Sequence, residues 1–354
     1  MSTRDLYTTP VSEGIWTVPA TGAARFTWDY DDGRDRLLAL YQKGKDKQWD
    51  AVKRIDWSIE VDPYDSLGLP DEALSVYGTP YWGKFSEQNR ADLRRHYASW
   101  QFSQFLHGEQ GAMVCAARIV ESVPDLDAKF YSATQTMDEA RHAEVYSRFL
   151  HEKIGMLYPI NDSLQALLGD TLRDSRWDMP YLGMQVLIEG LALAAFQRLR
   201  DYSKNPLAVA VNAYVMQDEA RHVAFGRIAL RDYYKELSAP ELSEREEFLV
   251  EGCYLMRDRF DAREMWEHLD FPVAECVEAA MISENQRIFR AQLFSRIVPT
   301  VRDIGLWGPR VRRAYEDMGV MHFAETDIAA RLAADEDWAK QLDATRSQNA
   351  VVPP

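Results

Sequence analysis

The chain has 354 residues, 46% of them hydrophobic and 12% aromatic, an ordinary composition for a folded protein with a large core. Its formal net charge of −15 disfavours nucleic-acid backbones, which need clustered Lys and Arg, and disfavours an anionic membrane surface. Cys115, Cys253 and Cys276 are odd in number, far apart and in no CxxC arrangement, which argues against a disulfide framework and a thiolate zinc site.

The first residues, MSTRDLYTTPVSEGIW, have no apolar stretch after a basic start, so no signal peptide is expected there. No apolar run reaches the roughly 18 residues expected of a membrane span. The sequence predicts a cytoplasmic protein with no nucleic-acid or membrane partner. Residues 1–34, rich in Thr, Gly, Pro and aromatics, read as an irregular arm. From Arg34 to about Trp57 the pattern is helical, with Leu37, Leu38, Tyr41, Trp49 and Val52 near helical spacing. Residues 62–85 carry Pro63, Pro70, Gly78, Pro80 and Gly83 and predict a long surface loop. Helices follow near 88–122, 125–153, 180–203 and 206–235. The breaks fall at Val123-Pro124-Asp125, across Asn161–Pro180, and at Lys204-Asn205-Pro206, where Asn205 can cap a helix opened by Pro206. Further helices are expected over 241–269, 273–300 and 308–318, before a frayed tail. No strand run is bounded by hairpin signals, so the fold class is all-α. The chain divides into an N-terminal arm and helix (1–87), a four-helix bundle (88–236) and C-terminal helices with a tail (237–354), all in one helical domain.

One five-residue word occurs twice, Asp138-Glu139-Ala140-Arg141-His142 and Asp218-Glu219-Ala220-Arg221-His222. Glu and His at i and i+3 share a helix face, so each word offers a carboxylate and an imidazole to one point. A further glutamate stands 30 residues before each motif glutamate, Glu109 before Glu139 and Glu189 before Glu219. The midpoints of these intervals, 124 and 204, coincide with the turns read from Pro124 and Asn205-Pro206. Two hairpins with arms of about 22 Å each bring their glutamates to one height. Related by a shift of 80 residues, they make a pseudo-twofold set of four carboxylates and two imidazoles, the donor set of di-iron and di-manganese carboxylate bundles. Such donors suit iron or manganese better than a soft-ligand metal. A single E-x-x-H is most often surface charge; two in register, with Val186, Leu193, Met137, Met216 and Phe196 near the glutamates, call for another explanation.

Over roughly residues 95–235 this pattern resembles the ferritin-like di-iron oxygenases and oxidases. These include bacterial multicomponent monooxygenase hydroxylases, the ribonucleotide reductase small subunit, acyl-carrier-protein desaturases and arylamine N-oxygenases. The resemblance implies a ferritin-like four-helix bundle with Glu109, Glu139, His142, Glu189, Glu219 and His222 as ligands of two iron ions, or of a manganese–iron pair. It makes Asp138 and Asp218 acceptors for the free N–H groups of the histidines, and pairs Arg141 and Arg221 with those aspartates. It implies an O2-dependent monooxygenase that hydroxylates or N-oxygenates a small organic substrate, draws electrons from a donor such as a ferredoxin or a reductase, and is compatible with a homodimer.

Phe105, Met113, Tyr146, Leu193 and Phe196 lie one or two turns from ligands and are expected to line an apolar pocket, with Gln135 and Gln185 one turn before Glu139 and Glu189. Tyr146 stands where the reductase small subunit carries its radical tyrosine. A radical-generating subunit using Tyr146 is therefore the alternative reading, although an aromatic residue at helical spacing is more often core. A non-catalytic metal-binding bundle is the third. Two departures stand out. Leu193 occupies the place of a threonine in the toluene and methane monooxygenases, and Val215 that of an additional histidine ligand in the arylamine N-oxygenases.

Overall fold

The structure, a computed structural model, describes residues 3–9, 16–30 and 33–350, with the side chains of 346–350 excepted. Among these the only β pairing is one parallel bridge between Tyr7 and Leu157, and the all-α expectation holds. Helix α1 spans Asp35–Asp46. It is separated from α2, Ala51–Arg54, because the Asp50 side chain accepts from the Val52 and Lys53 N–H groups and so starts a new helix. The helix expected over 34–57 is thus two. The loop of 62–85 holds only two short 3-10 turns, Asp71–Ala73 and Trp82–Lys84.

The four long helices follow the sequence closely. Helix α3, Glu87–Ser122, opens on a reciprocal capping box of Ser86 with Asn89 and ends before Pro124. Helix α4, Leu126–Phe149, is capped by Asp125 and runs on as a π-helical turn, Leu150–Ile154, that stops at left-handed Gly155. Asn161 then caps α5, Asp162–Arg173. A π-helical stretch, Tyr181–Ile188, leads without a break into α6, Glu189–Tyr202. Helix α7, Pro206–Tyr233, has Asn205 accepting from the Leu207 and Ala208 N–H groups and Pro206 as first residue. After it come α8 (Ala239–Asp258), α9 (Arg263–His268), α10 (Val273–Ile282), α11 (Glu284–Leu293), α12 (Ile297–Asp303), α13 (Pro309–Asp317) and α14 (Ile328–Ala350).

Four expectations are corrected. The segment read as a break over 161–180 contains α5, whose buried Leu164, Leu167, Leu168, Thr171 and Leu172 form one helical stripe. The helix expected over 241–269 is interrupted at Ala262, where φ is +50°. That expected over 273–300 is divided at Ser283 and again between α11 and α12. The tail expected to fray carries α14 to Ala350, and residues 351–354 lie outside the described residues. In addition, Tyr181–Tyr202 is long and apolar enough, by length and composition, to cross a membrane, despite the interrupting Glu189, Arg198 and Arg200. Its most apolar window is 83% buried within the bundle.

Helices α3 and α4 form one antiparallel hairpin and α6 and α7 the other, joined through α4 and α7. Helix α1 lies on α4 and α7, α14 covers α7, α11 packs on α6, and α5 and α8 enclose the π-helical stretch. That stretch is pressed tightly against α5 at one place: a Cβ built on Gly183 would stand 2.2 Å from Thr171 Oγ1 and 3.0 Å from Thr171 Cβ. Thr171 is fully buried, so the contact has little room to relax. Gly183→Ala should therefore destabilise the protein by about 1–3 kcal/mol through overpacking. Thr171→Ala in the same chain should return part of the loss. Thermal unfolding checks this, and a single variant as stable as the parent contradicts it.

Candidate metal centre

Each of the four bundle helices contributes to one buried cluster: Glu109 from α3, Glu139 and His142 from α4, Glu189 as the first residue of α6, and Glu219 with His222 from α7. None of the six is more than 5% exposed. Their donor atoms fall into two groups, each lying within 4.8 Å of one another: Glu109, Glu139, His142 and Glu219, and Glu139, Glu189, Glu219 and His222. The two motif glutamates belong to both groups, which is where bridging carboxylates would stand. Glu109 and Glu189 belong to one group each. Both imidazoles face inward through Nδ1. His142 Nδ1 lies 3.0 Å from Glu219 Oε1, and His222 Nδ1 lies 3.0 Å from Glu139 Oε1.

The outward nitrogens are held crosswise. His142 Nε2 stands 3.2 Å from Asp218 Oδ2, and His222 Nε2 stands 3.3 Å from Asp138 Oδ2. The aspartate of each word thus serves the histidine of the other. The arginines are shared in the same way. Arg141 donates to Asp138 and, at 2.9 Å, to Asp218. Arg221 donates to Asp218 and lies 3.8 Å from Asp138. Two residues between α1 and α2 complete the layer. Gln48 Nε2 donates to Asp138 Oδ1 and Trp49 Nε1 to Asp218 Oδ2, each at 2.7 Å. Sequence reasoning missed this role, since Trp49 looked only like an apolar position on a helix and Gln48 carried no signal at all.

Four carboxylates packed this closely in an apolar interior are unfavourable unless positive charge accompanies them. Burial, then the charge of Glu219, pushes Glu109 well above the usual carboxylate range. Burial with Glu219 and Glu139 does the same to Glu189. Burial would also raise Glu139, but His222 and His142 outweigh it and hold that carboxyl low. Burial disfavours both imidazolium ions. Asp218 and the surrounding glutamates nevertheless hold His142 well above its ordinary value, and Glu139 and Glu219 do so for His222. Glu189 Oε2 is buried with no hydrogen-bond donor. Hard oxygen donors, two imidazoles and an unpartnered inward oxygen fit a pair of iron or manganese ions.

Gln135 and Gln185 are fully buried. Gln135 Nε2 donates to Glu139 Oε1 at 3.0 Å and to Glu189 Oε1 at 2.8 Å, and Gln185 Nε2 donates to Gln135 Oε1 at 3.3 Å. Beside the cluster lies a cavity of about 30 Å³ walled by Phe105, Ile188, Leu191 and Phe196, with Glu109, Glu189 and Glu219 on its floor. Phe105 and Phe196, expected to line a pocket, are among its walls. Met113, Gln185 and Leu193 are not among its walls. Tyr146 is fully buried behind it, packed against Phe102, Phe105 and Phe196, its hydroxyl donating to Asn212 Oδ1 at 3.3 Å. Burial and the charges of Glu109 and Glu219 keep that phenol protonated. Met137, expected near the glutamates, is 61% exposed, on the outer face of α4. Val215 is buried, and the two donor groups contain two imidazoles and no third.

This helical bundle and its buried carboxylate–imidazole cluster define a ferritin-like di-metal oxidase class. The family of the p-aminobenzoate N-oxygenase AurF matches residues 31–305. The chain belongs to that family and is an O2-dependent oxidoreductase. Among solved structures, one variant of an R2-like ligand-binding oxidase with an anaerobically reconstituted Mn/Fe cofactor is similar at a TM-score of 0.51, with 16% identity over 80% of this chain and 96% of that one. Another such variant is similar at 0.50, with 17% identity over 79% and 96%. A Synechococcus protein with aldehyde deformylating oxidase activity gives a TM-score of 0.49, with 15% identity over 66% and 100%. At such identities the two R2-like oxidases show the shared fold alone. No curated protein sequence matches the chain.

Two outcomes are expected. Ligands must be deprotonated to bind a cation, and Glu109, Glu189 and both imidazoles are shifted to hold protons. Metal loading at pH 7 should release protons, and affinity should rise as the pH climbs above the ordinary histidine value of 6.5. Calorimetry in buffers of different ionisation heat measures this, and pH-independent binding contradicts it. Asp218→Asn should keep the helix content while lowering metal affinity about 10–100-fold, because His142 loses its charged acceptor. Unchanged affinity in a metal titration would reduce Asp218 to a packing role.

Proposed function

We propose that this protein oxidises a small organic substrate with O2 at a pair of iron ions, or a manganese–iron pair, held by Glu109, Glu139, His142, Glu189, Glu219 and His222. The observation that carries the reading is the shared membership of Glu139 and Glu219 in two overlapping donor groups. When bound, the ions supply the site and the electrons for O2 reduction. The chain's own residues do the rest. Asp138 and Asp218 accept hydrogen bonds from the Nε2–H groups of the opposite imidazoles and keep each Nδ1 aimed inward. Gln135 steadies Glu139 and Glu189 through its two donated bonds. Phe105, Ile188, Leu191 and Phe196 exclude water from the reacting face.

N-oxygenation of an arylamine is favoured over C-hydroxylation, because the family includes a p-aminobenzoate N-oxygenase. With Val215 in place of a further histidine, the donor set is six rather than seven. The reading also comprises a ferredoxin or reductase as electron donor, a cytoplasmic location, compatibility with a homodimer, and one domain in which 1–87 and 237–354 surround the bundle of 88–236.

Metal-loaded, chemically reduced protein given O2 and aniline should consume O2 and form the N-oxygenated product. Absence of O2 uptake with both ions in place would reject the oxygenase, and ring hydroxylation would move it to C-oxidation. Tyr146→Phe keeps nearly all the buried area and loses one hydrogen bond, worth about 0.5–1.5 kcal/mol. Turnover should fall modestly. Complete loss with the ions retained, together with a tyrosyl radical signal in the parent, would favour a radical-generating subunit.

A further inference from the structure

Converting an amine and O2 into a hydroxylamine and water takes up two electrons and two protons. The electrons come from the donor, and the protons must cross the protein. Two sides of the cluster are poor routes. The cavity side is walled by Phe105, Ile188, Leu191 and Phe196. On the imidazole side Asp138, Asp218, Arg141 and Arg221 are tied to one another, to the histidines, and to Gln48 and Trp49.

A third side differs. Ser132, Gln135 and Glu139 stand at i, i+3 and i+7 on one face of α4, and Tyr181, Gln185 and Glu189 follow at intervals of four residues along the π-helical stretch into α6. The rows face each other: Gln185 donates to Gln135, which donates to Glu139 and Glu189. One step further out, Ser132 lies near enough to the Tyr181 phenol to influence its ionisation, as do the charges of Arg34 and Asp125. Those two form an ion pair whose side chains are 37% and 27% exposed. A file of polar side chains therefore runs from solvent, beside the turn between α3 and α4, to Glu189.

The file is costly to keep. Ser132, Tyr181 and Gln185 are fully buried, and among the described residues Ser132 Oγ, Tyr181 Oη and Gln185 Oε1 complete no hydrogen bond. Tyr131 Oη, whose ring shares Phe225 with that of Tyr181, is in the same position. Buried oxygens without a donor destabilise a fold, and Ala, Phe or Leu would fill these places without that cost. The backbone carries a second mark, since π-helical winding is rare and frequent at functional sites.

We propose that Tyr181 and Ser132 form the proton entry to the centre: water bridges their hydroxyls to Gln185 and carries protons from solvent at the Arg34–Asp125 pair to the Glu189 edge of the cluster. A hydroxyl both accepts and donates, so each takes a proton from the outer side and releases its own inward without ionising. Burial keeps the Tyr181 phenol protonated, as this requires. Gln135 and Gln185 move no proton; their amides orient the inner water. The inference rests on the oxygenase reading for its demand for protons, and the test separates the two.

The test uses the full-length, metal-loaded protein and its Tyr181→Phe, Ser132→Ala and Ser132→Thr variants, the last of which keeps the hydroxyl. Crystals of the parent should show ordered water bonded to Tyr181 Oη or Ser132 Oγ and to Gln185 Oε1. A direct bond between the two hydroxyls, with Gln185 Oε1 left dry, overturns the inference. Tyr181→Phe should unfold at a lower temperature than the parent, because a satisfied hydroxyl is lost; a higher midpoint, the mark of a buried orphan, overturns it too. Single-turnover oxidation of aniline by the chemically reduced protein should slow at least about ten-fold in Tyr181→Phe and Ser132→Ala, with a larger solvent deuterium isotope effect. A loss as large in Ser132→Thr as in Ser132→Ala would mark packing and overturns the inference. Parent-like rates and isotope effects in all folded, loaded variants reject the file and leave the oxygenase reading standing. Ordered water in the file with no O2 uptake by the reduced parent would reject the oxygenase reading and keep the file.

Discussion

The crossed pairing of Asp138 with His222 and of Asp218 with His142 is the contact on which the rest of the centre depends. Neither copy of the repeated word can orient its own imidazole, so α4 and α7 must meet in one register for either half to form. Arg141 and Arg221, each reaching both aspartates, fix that register with charge-assisted bonds in an interior where an unpaired aspartate would be very costly. For Asp218, burial is outweighed by Arg221, His142 and Arg141, which hold its carboxyl well below the usual range. The acceptor for His142 therefore stays ionised. A symmetric cluster arises because two similar hairpins face each other, each supplying what the other lacks.

Around this lattice the remaining elements have separable tasks. Gln48 and Trp49, between α1 and α2, close the outer side of the aspartates. The π-helical stretch before α6 brings Gln185 against Gln135 and delivers Glu189 as the first α-helical residue, so the upstream carboxylate of the second hairpin meets the repeated words. On the opposite side of the glutamates the lining turns aromatic and aliphatic. A polar, hydrogen-bonded layer behind the donors and an apolar-walled cavity before them is the division of labour expected where a metal pair performs the chemistry and the protein controls access and orientation.

Much of this was legible in the residues. The repeated words, the 30-residue spacing and the Pro124 and Asn205-Pro206 turns each depend on local rules, helix periodicity and capping, that tertiary packing left intact. Helix α5 was hidden because the segment from Asn161 to Pro180 read as a break, although its leucine stripe was there to be counted. The crossing of the aspartates was not readable, since Asp138 stands equally well placed in the sequence to serve either histidine. Trp49 was out of reach for the same reason. Its importance comes from where a residue far away in the chain ends up, Trp49 and Asp218 being 169 positions apart. Met137 shows the opposite failure: closeness in sequence to Glu139 placed it on the wrong face of the helix.

The central claim is that six side chains from four helices hold two metal ions side by side. Anomalous diffraction at the iron edge from crystals of the iron-loaded protein measures this directly. Two peaks per chain are expected, one within the group of Glu109, Glu139, His142 and Glu219 and one within that of Glu139, Glu189, Glu219 and His222. A single peak, or peaks away from Glu139 and Glu219, would contradict it.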